Sequence, residues 1–214
     1  MGKRIRDILF AACAIGVAVA SLYFAFGRPE QKIDLGPYAV LGTVTAEEAA
    51  RIAGGQGEVM VVVRDTGPDK NPSVEAELQA FQQTLSGRRG LKVIVERIPV
   101  TPMLMMATGG GVPPDQFLKA LAAHPRVGVA VLFLALPDLT DAESETLKQS
   151  GARIIVVSSL RPGYKRLFER RTLELAIVPR PDSPAPESRA PRTVRERFDQ
   201  EYSVITAAEA ATLP

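Results

Sequence analysis

Four apolar residues in a row, Met60-Val61-Val62-Val63, run into Arg64, Asp65 and a loop rich in Gly, Pro, Asp and Asn. A strand with one wet face alternates apolar and polar positions, whereas a strand covered on both faces need not. The run therefore predicts a central strand of a parallel sheet over 58–64. Asn71 is placed to cap a helix with Pro72 at its first position, where the missing N–H costs nothing. Val74, Leu78, Phe81 and Leu85 then recur on one helical face. Strand, loop and helix in that order form the repeating unit of an α/β fold.

The alternation continues along the chain. Upstream, Thr45-Ala46-Glu47-Glu48 has capping-box spacing and predicts a helix that opens at Thr45 and stops at Gly54-Gly55. Downstream, strands are expected over 91–100, 127–136, 152–160 and 173–178. Between them lie a helix from about Pro113 carrying Phe117, Leu118, Leu121 and Ala122, and a helix opened by Thr140 that contains Leu147 and stops at Gly151. A short basic helix is expected over about 163–171, while 101–112 reads as irregular. Five strands alternating with four helices, and one helix ahead of them, give a three-layer, doubly wound, mostly parallel sheet. The flavodoxin-like order 2-1-3-4-5 places the two most apolar strands, the first and third, at its centre. Pro179, Pro181, Pro184, Pro186 and Pro191 then mark an extended strap. After it come a helical piece, Val194–Tyr202, and a run, Val204–Thr206, able to dock as an edge strand.

The N-terminus has another character. Ile8 to Phe26 is nineteen residues without a charge, preceded by Lys3, Arg4 and Arg6. At about 1.5 Å per residue such a helix spans the roughly 30 Å of a bilayer's hydrocarbon, and the flanking bases place its start in the cytoplasm. The expected division is 1–7 cytoplasmic, 8–26 transmembrane, 27–43 spacer, 44–181 α/β domain and 182–214 strap and tail. The alternative is secretion after cleavage at Ala18-Val19-Ala20, which would leave an exposed apolar end, Ser21-Leu22-Tyr23-Phe24. A bacterial inner-membrane anchor with its domain outside the cytoplasm is the preferred reading.

Composition sharpens this. Of 26 bases and 24 acids, Lys3, Arg4, Arg6 and Arg28 against Asp7 fall in the first 28 residues, leaving 22 bases and 23 acids in the rest. A near-neutral body lacks the clustered positive charge that nucleic-acid binding needs. Cys13 is the only cysteine and lies in the apolar run, so the body holds no disulfide, thiolate nucleophile or cysteine metal site. With a single histidine, His124, no His-based triad or zinc site can be assembled either, and no cofactor is expected.

In open α/β sheets ligands lie beyond the carboxyl ends of the strands, near the point where the strand order reverses. The candidates there are Asp65, Thr66 and Asn71 after the first strand, Thr108, Gly109 and Gly110 before the helix near Pro113, and Ser158 and Ser159 after the fourth strand. Each also has a purely architectural reading. Asp65 can close a turn on its own backbone, the glycines lack both the dinucleotide and the P-loop spacing, and strand-end serines are common. Met103, Met105 and Met106 fit either an adaptable binding surface or the edge of the core. His124 is expected to meet helix-end carbonyls. Arg161, Lys165, Arg166, Arg170 and Arg171, with only Glu169 against them, offer either a solvated face or a contact for an acidic partner or lipid headgroups.

Three passages carry a family likeness. These are the helix ahead of Gly57-Glu58-Val59-Met60-Val61-Val62-Val63, then Asn71-Pro72 with its Phe81 helix, and the pair Val127 to Pro137 and Gly151-Ala152-Arg153-Ile154-Ile155-Val156-Val157. Together, residues 41–181 resemble one lobe of the type I periplasmic binding proteins, which take sugars and amino acids. The resemblance implies a Rossmann-like lobe that contributes one side of a solute cleft. Too few residues follow the fifth strand for a second lobe, so a single lobe is expected and no binding residue is carried over. The function expected is a membrane-anchored binding or scaffold domain for a small polar solute, accessory to a transporter or envelope complex. Two alternatives stand beside it, a small hydrolase or phosphatase using Asp65 and a purely structural interaction protein.

Overall fold

The computed structural model describes residues 33–68, 70–108, 110–159, 163–180 and 193–210, together with Gly2, residues 15–17 and Ser21. Two compact units result, Met1–Asp34 and Leu35–Pro214. In the first, Gly2, residues 15–17 and Ser21 are helical. The rest of the span expected at 8–26 lies outside the described residues, and among the described residues no helix is long and apolar enough to cross a membrane.

The second unit is a six-stranded sheet. In chain order its elements are α1 (Gly36–Ala53), β1 (Gly57–Asp65), α2 (Pro72–Ser86), β2 (Leu91–Pro99), α3 (Pro102–Ala107), α4 (Pro114–Ala123), β3 (Val127–Leu132), α5 (Asp141–Gln149), β4 (Arg153–Val157), α6 (Tyr164–Glu169), β5 (Leu175–Pro179), α7 (Val194–Glu201), β6 (Tyr202–Thr206) and α8 (Ala207–Ala210). Strand order is β2-β1-β3-β4-β5-β6, the expected 2-1-3-4-5 extended by one strand. The first five strands are parallel, and β6 runs antiparallel to β5 with Pro179 opposite Tyr202 and Leu175 opposite Thr206.

β1 accounts for the unbroken apolar run. It pairs with β2 along one edge and β3 along the other. Val59, Val61 and Val63 join Phe81, Leu85 and Phe198 in the core beneath α1, α2 and α7. Met60 and Val62 join Phe117, Leu147 and Phe168 in the core beneath α4, α5 and α6. All five strand residues are fully buried, each adding about 1.5–3 kcal/mol of apolar transfer free energy. The period-2 geometry of the strand divides one apolar run between two cores.

Two expectations need correction. The first helix begins at Gly36 rather than Thr45, so part of the expected spacer is helical. Pro37 lies in its first turn, where proline is tolerated, and Leu41 and Val44 extend the buried stripe backward. Thr45 is therefore an interior residue, fully buried, and its hydroxyl has no hydrogen-bond partner among the described residues. Tertiary packing overrides the local capping pattern. The end of α1 is as expected: Gly54 is left-handed (φ 69°), and Gly54 and Gly55 return their amides to Arg51 and Ala50 at 3.2 and 3.0 Å. The second correction is the irregular stretch. Thr101 caps α3, its hydroxyl accepting from the Leu104 amide at 3.3 Å. The expected strap divides as well: 181–192 lies outside the described residues, while the run at 204–206 does form an edge strand.

α1 and α2 approach unusually closely at Gly42. A β-carbon there would stand 2.2 Å from the Glu77 carbonyl oxygen and 3.1 Å from the Ala80 β-carbon. The obstacle is backbone, which cannot step aside as a side chain can. Gly42→Ala is expected to cost about 1–3 kcal/mol through overpacking, read as a lower urea midpoint with unchanged slope; an unchanged midpoint would show that the helices do not meet as described.

Candidate functional site

The carboxyl edge of the sheet is built from the loops after β1, β2, β3 and β4. After β1 the chain makes a tight polar turn. One Asp65 oxygen accepts from the Gly67 amide at 2.9 Å, and the Thr66 hydroxyl accepts from the Asn71 amide at 3.1 Å. The Asn71 side-chain oxygen caps α2, taking the Ser73 and Val74 amides at 2.9 and 3.4 Å. Asp65 and Asn71 are exposed. Their remaining polar atoms, Oδ2 and Nδ2, carry no hydrogen bond among the described residues. These three sequence candidates thus form one local constellation.

Charges absent from the sequence reading complete it. Arg97 on β2 donates to both oxygens of Glu75 in the first turn of α2, at 2.8 and 3.0 Å. That guanidinium holds the Glu75 carboxyl below its usual range, and Lys70 adds to the effect. The Glu75 pair, and the charge of Asp65, in turn raise the Arg97 pKa. Arg64 donates to the Val100 carbonyl at 3.1 Å, tying the end of β1 to the end of β2. The register that sets Val63 beside Arg97 creates this cluster, and no local motif announces it.

The second group of candidates is committed to architecture. The Thr108 hydroxyl donates to the carbonyls of Leu104 and Gly111 at 2.8 and 2.7 Å. The Gly110 carbonyl accepts from Ala135 at 3.3 Å, and the Ala135 carbonyl accepts from Val112 at 3.3 Å. This bridge fastens the loop after β2 onto the continuation of β3, beside Phe133, whose ring meets Phe81 edge-on at 5.9 Å. Gly109 lies outside the described residues. Met103 and Met106 are 81% and 85% exposed, which excludes the core-edge reading for those two.

Ser158 and Ser159 stand apart from Asp65, with β3 intervening between β1 and β4. Ser158 shares a short hydroxyl contact with buried Tyr164. The His124 backbone amide donates to the helix-end carbonyl of Leu121 at 3.0 Å, while its ring meets the carboxylate of Glu96 on edge strand β2 at 2.7 Å. Of the basic helix, Arg161 lies outside the described residues, and Arg170 pairs with Asp141 at 2.7 Å. Among the described residues no three His, Cys, Asp or Glu side chains gather as a metal ion would require. Open grooves lie at the amino end of the sheet. One of about 320 Å³ runs between α4 and α5 past His124, and another of about 400 Å³ lies beside Arg171 and Glu174.

By sequence, no family model and no curated protein matches the chain. Solved structures do match by shape. One is GanP, a glucose-galactose binding protein from Geobacillus stearothermophilus, with a TM-score of 0.53 at 14% identity, covering 81% of this chain and 61% of that one. A sugar ABC transporter sugar-binding protein from Bacillus halodurans gives 0.53 at 15%, covering 82% and 63%. The fructose-binding periplasmic domain of a hybrid two-component system gives 0.55 at 12%, covering 82% and 58%. The fold resembles that of the periplasmic sugar-binding proteins. The likeness expected from the three sequence passages therefore holds at the level of fold, and the chain spans about three fifths of each of these neighbours.

Asp65→Asn preserves an oxygen for the Gly67 amide and is expected to leave stability within about 0.5 kcal/mol. Thr108→Val strips the Leu104 and Gly111 carbonyls of a shared donor and is expected to cost about 1–3 kcal/mol. Thermal melts of the two variants side by side check both; a larger loss for Asp65→Asn would mean that its charge stabilises the fold.

Proposed function

We propose that this chain is an extracytoplasmic solute-binding module. It would hold a small polar solute, of the sugar class, at the carboxyl edge of the sheet where β1 and β3 part. The observation that carries the reading is the fold likeness to proteins named for glucose-galactose and fructose binding. Three features support the position. The strand order reverses beside β1, ligands in such sheets favour that crevice, and Asp65, Thr66 and Asn71 converge there with unused polar atoms next to the Arg97–Glu75 pair. Sugar hydroxyls suit this set, since a carboxylate oxygen accepts and an amide donates.

The uncharged segment Ile8 to Phe26, with bases ahead of it, anchors the module to the cytoplasmic membrane in this reading and leaves the domain outside. Release after Ala20 would give a secreted form instead. The module serves a transporter or envelope complex, with Lys165, Arg166 and Arg171 as its contact for an acidic partner. The hydrolase alternative loses ground, because one Asp65 oxygen is engaged with Gly67. Pure scaffolding would leave the polar atoms at the switch point without a task.

A thermal-shift panel of sugars and other small polar solutes on the detergent-solubilised full chain tests the function. A solute at about a hundred times its dissociation constant should add about 2.7 kcal/mol, several degrees of melting shift. Asp65→Asn and Asn71→Ala should each reduce the shift. A flat panel removes the solute-binding reading, and turnover of phosphoesters abolished by Asp65→Asn would replace it with the hydrolase. For the anchor, carbonate-washed membranes should retain the intact chain and lose a chain lacking 8–26; retention of both would refute it.

A further inference from the structure

Arg64 has hydrogen-bond donors that the fold leaves over. It stands one residue before Asp65 at the end of β1, and the period-2 geometry of the strand turns the two side chains to opposite faces. Asp65 shares the face of Val61 and Val63, the side of α2 and the Arg97–Glu75 pair. Arg64 lies beside Ile98 in the parallel register, on the face of Met60 and Val62. It is half-buried there. Its Nε donates to the Val100 carbonyl at 3.1 Å, which fixes the guanidinium at the end of the sheet. The two Nη atoms have no hydrogen bond or ion pair among the described residues.

The chain forms an arch at this point. The segment after β2 leaves the sheet at Val100, makes α3 and returns at Gly110, where the Ala135 amide donates to the Gly110 carbonyl and the Val112 amide to the Ala135 carbonyl. The Phe133 amide, two residues earlier on the same strand, donates to the Val62 carbonyl of β1 at 3.0 Å. Residues two apart in a strand direct their peptide groups to the same side. Gly111 therefore stands beside the continuation of β3 where β1 would have gone on. The segment has crossed beyond the carboxyl end of β1, from its β2 flank to its β3 flank. Val100 and Val112, the feet of the arch, are buried in the same core as Ile98. Arg64 is the last residue of β1 on that face, so its head stands at the base of the arch.

A guanidinium carries only donors, and donors held partly out of water without a partner are costly. The four N–H groups left on the Nη atoms form a planar fork that matches a carboxylate. Among the described residues no Asp or Glu pairs with it: Asp65 is turned to the other face, and Glu75 is taken by Arg97. We propose that Arg64 is the anion-holding residue of the solute site and that the solute is a sugar acid. Such a molecule, lying across the end of β1, meets both faces at once, its hydroxyls at Asp65 and Asn71 and its carboxylate on the Nη atoms of Arg64. The inference rests on the solute-binding reading above and narrows it. A single negative charge suits the position, because the Asp65 carboxylate at the same strand end repels a dianion such as a phosphate ester.

Titration of the detergent-solubilised full chain with matched pairs, glucuronate against glucose and galacturonate against galactose, decides the matter. In the parent chain each acid should bind at least about tenfold tighter than its neutral partner, the scale of a charge-assisted hydrogen bond. That preference should shrink as ionic strength rises. Arg64→Gln should cut it to within about twofold, and Arg64→Lys, which keeps the charge but loses the fork, should leave an intermediate preference. Both variants lose the tie to Val100, so melts without solute accompany the titrations; if Arg64→Gln does not fold, Arg64→Lys and the salt dependence carry the test. Neutral sugars bound as tightly as the acids, glucose phosphate preferred to glucuronate, or an acid preference that survives Arg64→Gln would each overturn the inference and leave the solute-binding reading in place. Binding of no sugar, acid or neutral, would overturn both.

Discussion

Everything in the domain rests on β1 being covered twice. Its two edges are paired and both its faces are dry, so no polar group on that strand can turn to water between Val59 and Val63. A strand in that position must hand its amides and carbonyls to neighbours on both sides, because an unpaired buried peptide group costs as much as a lost hydrogen bond. The demand fixes β2 and β3 as its partners. It also fixes one helical layer on each side, and it leaves the ends of the strand as the only places where polar chemistry reaches the strand from solvent. Asp65 and Thr66 occur where the apolar run releases the chain.

Much of this was legible from the order of residues. The apolar runs at 59–63 and 129–132 are too continuous for a half-exposed sheet, and Asn71-Pro72 announces the start of α2 by a cap that the side chain of Asn71 does make. The capping box at Thr140 is likewise present, with Glu143 closing it at 2.8 Å. The same signal misled at Thr45, where the hydroxyl and carboxylate spacing is met inside a longer helix. A cap is a local option, and burial of Leu41 and Val44 outweighed it. The strand order could be read, but not which residue of one element comes to lie beside which residue of the next. Arg97 is six residues into β2 and Glu75 is early in α2, and only the register makes them one ion pair. Contacts set by register carry no short-range trace, which is why the charged half of the candidate site was missed while its loop was found.

The two ends of the sheet divide their work differently. At the carboxyl end the polar groups are organised by turns and caps, and the bridge between Gly111 and Ala135 gives the loops a rigid footing. At the amino end a hollow between α4 and α5 is lined largely by apolar side chains, Leu118, Leu121 and Val127 among them. Recognition of a hydrated solute depends on directed polar atoms, since the water removed from each hydroxyl must be replaced by a placed partner.

The position of β1 between β2 and β3 also governs how the chain reaches this state. Val59 lies about 34 residues from its partner on β2 and 70 from its partner on β3. The first pairing can form around α2 as a compact early unit, whereas the second must wait until a long loop has closed at a cost that local contacts cannot repay. Until β3 arrives, one face and one edge of the most apolar strand in the domain stand open. The feature that makes the finished sheet stable is therefore also its period of greatest exposure to misassociation, and the charged margin of β2, with Lys92, Glu96 and Arg97, guards the other edge throughout.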